Sequence, residues 1–209
     1  MKSVAFCLLA LVLIVNSSCK KGAGDFTISG TITDSTFSGG LSGATLELYQ
    51  VPVGTQSMLL VGNVTLGADG KYSFTFPRER MEKYIIKVNK LNYFPIEETI
   101  YYSSLDIGKV NTRNYFTKAK AWVELRLVNM NPIAQDHLRY IKQEGLQGCA
   151  ECCPITNQDF FGALDTSIFC INNGNTPYSI YYWIMNTNNQ GTKQVTTVPF
   201  DTTQLYLEY

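Results

Sequence analysis

The chain lacks most of what would name a reaction. Its 209 residues hold one histidine, His137, so Ser-His-Asp, Cys-His or His-metal chemistry would have to pass through that side chain. There is no glycine-rich phosphate loop, calcium loop or zinc-protease motif. Charge is sparse, at 16%, and balanced, with 17 Lys or Arg against 17 Asp or Glu, so no basic excess points to nucleic acid. Acid pairs are equally unpromising for glycoside hydrolysis. Glu97 and Glu98 are adjacent on a strand and point to opposite faces, and Glu79 and Glu82 share a charged turn with Arg78, Arg80 and Lys83. The sequence therefore predicts no catalytic residue, no metal site and no cofactor. His137 is expected to be a partly exposed surface side chain; its neighbour Asp136 could orient it and Ser167 or Ser179 could approach it, but nothing in the spacing selects these residues.

Long apolar runs are missing too. Val4 to Val15, twelve residues after Lys2, falls short of the ~20 needed to span a bilayer. It has the length of a signal-peptide apolar region, and Asn16, Ser17 and Ser18 supply the small polar segment before Cys19. Ser17-Ser18-Cys19-Lys20-Lys21 resembles the lipobox of bacterial lipoproteins, in the looser form of the Bacteroidota. Asn16 stands where that family usually has Leu, which leaves an ordinary cleaved signal peptide as the alternative. The resemblance implies that residues 1–18 are removed and that Cys19 is acylated. With acyl chains contributing about 0.8 kcal/mol per buried CH₂, such an anchor is practically permanent. It further implies an outer-membrane location, on the periplasmic or the cell-surface face, with the membrane as partner through the N-terminal lipid. Residues 19–25 then form the lipidated cysteine and a flexible spacer.

Beyond the spacer the pattern is that of strands. Phe26, Ile28, Gly30 and Ile32 alternate with polar residues, and so do Leu46 and Leu48. Met58 to Leu66, Tyr72 to Phe76, Tyr84 to Val88, Thr99 to Tyr102 and Tyr115 to Lys118 continue the series, and Asp69-Gly70 predicts a hairpin turn. Short strands at this spacing predict an all-β chain with a sandwich at residues 26–118. Ser29-Gly30-Thr31-Ile32-Thr33-Asp34, Leu41-Ser42-Gly43-Ala44-Thr45-Leu46, Asp69-Gly70-Lys71-Tyr72-Ser73-Phe74 and Ile85-Ile86-Lys87-Val88 resemble, in that order, the carboxypeptidase-regulatory-like or transthyretin-like β-sandwich. The motifs are structural, and the resemblance implies a spacer or accessory module with no active-site residue.

Residues 119–209 are predicted to form a second, smaller β-rich sandwich. Val123, Leu125 and Leu127 bury one face of a strand and leave Trp122 on the other, a candidate for the boundary between modules. Asn131-Pro132 has the form of a helix start, with Ala134, Leu138 and Ile141 on one face and Gly145 at the end. Ile168 to Ile171, Ser179 to Asn186, Gln194 to Val198 and Gln204 to Tyr209 are further strands. Cys149, Cys152, Cys153 and Cys170 predict two disulfides in an exported chain, with Cys170 bonded to Cys152 or Cys153 and Cys149 taking the other. A zinc site of the same thiolates and a Cys-x-x-Cys redox pair are the alternatives.

Ile180, Tyr182 and Ile184 share one face of their strand while Tyr181, Trp183 and Met185 share the other. Tyr181 and Trp183 either pack in a core or form a platform for a ligand. Asp34-Ser35-Thr36 and Asp201-Thr202-Thr203 resemble the O-glycosylation acceptor pattern of Bacteroidota, a three-residue pattern that also recurs by chance. Two functions fit: a non-catalytic, lipid-anchored structural or accessory protein bound to an envelope partner, or a surface binder of glycan or peptide through Tyr181, Trp183 and Trp122.

Overall fold

A computed structural model describes residues 24–209; the signal segment, Cys19 and the spacer up to Ala23 lie outside the described residues. The chain is all-β, with short 3-10 turns and no α-helix among the described residues, and none of its helical turns is long and apolar enough to cross a membrane. The first nine strands are β1 (Asp25–Asp34), β2 (Gly39–Gly40), β3 (Thr45–Pro52), β4 (Leu59–Thr65), β5 (Lys71–Pro77), β6 (Met81–Asn89), β7 (Ile96–Tyr101), β8 (Val110–Thr112) and β9 (Tyr115–Thr117). They make two sheets. One runs β4-β3-β6-β7, and in the other β1 pairs with β2, β5, β8 and β9. Alternation along β1 and β3 turns Phe26, Ile28, Ile32, Leu46 and Leu48 inward, where all are essentially inaccessible. Each contributes about 1.5–3 kcal/mol by leaving water. Between them Gly30 is required, because a Cβ there would lie 1.8 Å from the Arg113 carbonyl oxygen where the β8–β9 connection crosses β1.

Asp69-Gly70 is a turn but not a hairpin. Gly70 has φ +66°, its N–H donates to the Gly67 carbonyl and the Asp69 carboxylate accepts from the Lys71 amide. The strands it joins belong to different sheets, β4 pairing with β3 and β5 with β1. A Cβ on Gly70 would strike the Ile32 carbonyl oxygen, which marks the close crossing from one layer to the other.

Register fixes which loops share an end. Asp25 faces Pro77, Pro52 faces Met81 and Lys83 faces Tyr101, so the start of β1, the β3–β4 loop, the β5–β6 turn and the end of β7 lie together. The opposite end holds Asp34, Thr45 and Asn89, and the chain leaves from there through Lys118-Ala119.

The remaining strands are β10 (Lys120–Val128), β11 (His137–Glu144), β12 (Gln158–Phe161), β13 (Asp165–Asn173), β14 (Pro177–Ile184), β15 (Gln190–Thr196) and β16 (Thr202–Glu208). They form the sheets β13-β10-β16 and β12-β11-β14-β15, with β10 and β16 parallel. A second core lies between these sheets, built on Val123, Leu125, Leu127, Leu138, Tyr140, Tyr178, Ile180 and Leu205. The expected helix after Asn131 is absent, and β11 occupies its place. Leu138, Tyr140 and Lys142 alternate inward at period two, and the charge on Lys142 hides that alternation from a sequence reading.

Candidate functional site

The cysteines occupy the segment between β11 and β12 and the inner face of β13. Cys149 bonds Cys152, and Cys153 bonds Cys170, with Cα–Cα distances of 5.2 and 5.3 Å. The disulfide expectation holds, and with it the placement of Cys170 on one of the adjacent pair. All four sulfurs are consumed, which overturns the zinc reading of these thiolates. Beneath the loop lies a side chain that the sequence reading missed. Lys142 is almost wholly buried, and its ammonium donates to the carbonyls of Leu146 (2.6 Å), Cys152 (2.6 Å) and Cys153 (2.9 Å). Burial pulls its pKa below the usual lysine value. With three carbonyl acceptors around it, the ammonium ties the disulfide loop to the sheet.

The second grouping is on the outer face of the β12-β11-β14-β15 sheet. His137 Nε2 lies 2.5 Å from Asp159 Oδ1, and Arg139 Nε donates to the same oxygen at 2.8 Å. That bond from Arg139, followed by the one from His137, holds the Asp159 carboxyl below its ordinary pKa. The imidazole stacks on Phe161 at 4.2 Å. Asp159, not Asp136, is thus the partner of His137. Asp136 accepts from the Ile133 amide and from Asn129, and those bonds, in that order, lower its pKa. Ser167 donates to Glu124 and Ser179 to Glu144, so neither hydroxyl is paired with His137 and no nucleophile-base pair forms there.

Across β11 and β14, Arg139 is in register with Trp183, and Ile141 with Tyr181. Tyr181 and Trp183 are half-buried and meet edge to face at 4.7 Å. They sit on the outer face and do not join the core. They also stop short of a coplanar platform. Trp122 lies half-buried on the outer face of β10, in register with Ile171 and Thr202. Aromatic contact across the boundary falls instead to Phe37, Tyr93 and Phe200. Phe200 stacks on Phe37 at 5.8 Å and packs on Tyr93 at 5.3 Å.

Both Asp-Ser/Thr-Thr motifs flank this boundary. Asp34 accepts from the Thr36 and Phe37 amides and from the Tyr93 hydroxyl, and Thr36 Oγ1 accepts from Ala119 N–H. Asp201 accepts from Thr202 N–H. The connector's three carbonyls are all engaged. The carbonyls of Lys118, Ala119 and Lys120 accept from Phe94, Gly174 and Phe200, and the Lys120 amide donates to Asn92.

Among the described residues no three His, Cys, Asp or Glu side chains converge as a metal site. No protein-family model matches the chain, and no curated protein matches it. Among solved structures it is similar to the TIE protein of Bacillus anthracis, at 13% identity and TM-score 0.39 over 88% of this chain and 34% of that one. A streptococcal ancillary pilin is similar at 10% identity and TM-score 0.37, over 88% of this chain and 62% of that one. GBS52, the minor pilin of Streptococcus agalactiae, is similar at 11% identity and TM-score 0.37, over 88% and 94%. The chain spans about a third of the TIE protein and under two thirds of the ancillary pilin. Likenesses at these scores decide nothing about what the chain does.

Proposed function

We propose that the chain is a non-catalytic, lipid-anchored envelope protein. It serves as a structural or accessory element that holds its C-terminal sandwich at a distance from the outer membrane and against a protein partner. The connector supports this reading. Lys118 to Lys120 is no flexible linker, since its carbonyls are all bonded to the two sandwiches it joins and Ala119 is inaccessible. The end that continues toward Cys19 and the end that meets the second sandwich are opposite ends of the first. Such a build transmits position. The test is capture of the acylated chain from solubilised envelopes, with and without a Gly-Ser insertion at Lys118-Ala119. A stoichiometric envelope protein is expected with the native connector and is expected to be depleted by the insertion. An empty capture from membranes in which Cys19 carries its acyl chains removes the accessory role.

A second reading has its own observation. The outer face carrying Tyr181, Trp183, Arg139, His137 and Phe161 combines aromatic rings with a fixed guanidinium-carboxylate pair, a surface chemistry suited to a glycan or peptide. Trp183→Ala is then expected to abolish binding on a glycan and peptide array while the melting temperature stays within a few degrees. A fall in stability with no ligand found assigns the ring to packing alone.

A further inference from the structure

We infer that the end of the N-terminal sandwich nearest the tether is itself a membrane-contacting surface that rests on the phospholipid bilayer. The inference depends on the reading that Cys19 is acylated. Only Lys20 to Gly24 separate Cys19 from the start of β1, and a chain that short reaches about 20 Å when fully extended. The end of the sandwich that carries Asp25 is therefore held close to the lipid.

That end is apolar in a way the sandwich core does not require. Val53, Met58, Leu59, Leu60, Tyr101 and Ile107 are between 43% and 61% exposed. Register brings them together: the β3–β4 loop follows Pro52, which faces Met81; Tyr101 faces Lys83; and Gly108 next to Ile107 donates to the Asp25 carbonyl. No charged residue occurs between Glu47 and Asp69, so the loop and the edge strand β4 lack the lysines that normally protect a solvated sheet edge. Clustered exposed apolar side chains mark a contact surface, and a tyrosine among them suits the boundary between headgroups and acyl chains. The charges of that end balance, with Arg78, Arg80, Lys83 and Lys109 set against Asp25, Glu79, Glu82 and Asp106, and the excess of Lys20 and Lys21 belongs to the tether and not to this surface. Apolar insertion, not attraction to anionic headgroups, therefore carries the contact. Tethering removes most of the entropic cost of association, so a few shallowly inserted side chains suffice to fix the tilt of the molecule.

The experiment uses the full acylated chain in phosphatidylcholine vesicles, with and without bromine on the acyl chains. Val53→Trp adds a reporter at the tether end, and Ile133→Trp, in the exposed β10–β11 connection at the far end, serves as control. Intact mass is read first. A chain without acyl groups on Cys19 speaks against the anchor, whereas every later outcome bears on the contact alone. Brominated lipid is expected to quench the added emission of V53W and leave that of I133W unchanged, equally with and without phosphatidylglycerol. Unquenched V53W on an acylated chain, or equal quenching of both variants, overturns the inference. So does a photo-crosslinker at position 59 that yields a dimer of the chain instead of a phospholipid adduct, because β4 then pairs with a second copy.

Discussion

Lys142 shows most clearly how one side chain organises a region. Three carbonyls of the disulfide loop point at its ammonium, which adds to the hold that the Cys153–Cys170 bond and the bond from the Leu146 amide to Asn172 Oδ1 give the loop. Lys142→Met keeps the length and removes the donor, leaving those acceptors without it. The expected cost is about 2–3 kcal/mol, read as a lower urea midpoint. A sequence reading passes over Lys142 because a lysine is assigned to the surface by default. Sequence adjacency singled out Asp136 beside His137, whereas the partner is Asp159, which the β11–β12 ladder sets opposite Arg139 and diagonal to His137.

The buried tyrosines make a prediction of opposite sign to the lysine. Burial pushes the phenols of Tyr84 and Tyr140 up to about 12, and raises those of Tyr72, Tyr93 and Tyr178 as well, with the Asp34 carboxylate adding to the effect at Tyr93. Above the ordinary value of 10.0 the unfolded chain gives up these protons and the folded chain keeps them. Stability present below pH 10 is therefore lost as pH rises further. Lys142, whose pKa is lowered on folding, opposes this with a single group. Thermal melts between pH 8 and 12 are expected to show a net fall above pH 10. Phenolate absorbance from these residues should appear only as the fold is lost.

At the scale of elements, period and turn chemistry proved separable. The alternation of Phe26-Ile28-Ile32 and of Val123-Leu125-Leu127 places β1 and β10 because no charge interrupts it there, the buried Asp34 entering only as the last residue of β1. In β11 one inward position is a lysine, and the surviving apolar residues Leu138 and Ile141 imitate a helical spacing. Asp69-Gly70 carries correct turn chemistry, yet a turn does not specify whether its flanking strands pair or cross between layers. The disulfides were legible as a set because four cysteines, two of them adjacent, leave few unstrained pairings. Their energetic weights differ. Cys153–Cys170 spans 17 residues and closes the loop onto β13, whereas Cys149–Cys152 spans three. In the chain-entropy picture, replacing the first pair by serines costs about 3 kcal/mol and the second about 2 kcal/mol, and paired denaturation curves of the two double variants test that order.

At the scale of the whole molecule the decisive feature is the joint. Phe200 adopts φ +67°, a conformation that is strained for a bulky residue and persists only where its surroundings hold it. The backbone twist delivers its ring between Phe37 and Tyr93 of the other sandwich, and its amide closes on the Lys120 carbonyl. None of this was visible in the sequence, since Phe200 and Phe37 are 163 positions apart and belong to no periodic pattern. The connector offers a direct measure of how firmly the joint is held. Lys118 and Lys120 are trypsin sites whose backbone is bonded to both sandwiches, so cleavage there requires the joint to open. The native chain is expected to resist cleavage at these lysines. The double variant Phe37→Ala, Phe200→Ala removes the rings while sparing both cores, and is expected to be cut at Lys118 and Lys120 into two fragments that each retain β-structure by circular dichroism. Cleavage at equal rates in both proteins would mean that the backbone bonds alone set the joint and the aromatic cluster adds nothing to its rigidity. Fragments that unfold on cleavage would mean that the two cores depend on one another, and that the joint is a continuation of the fold and not a boundary within it.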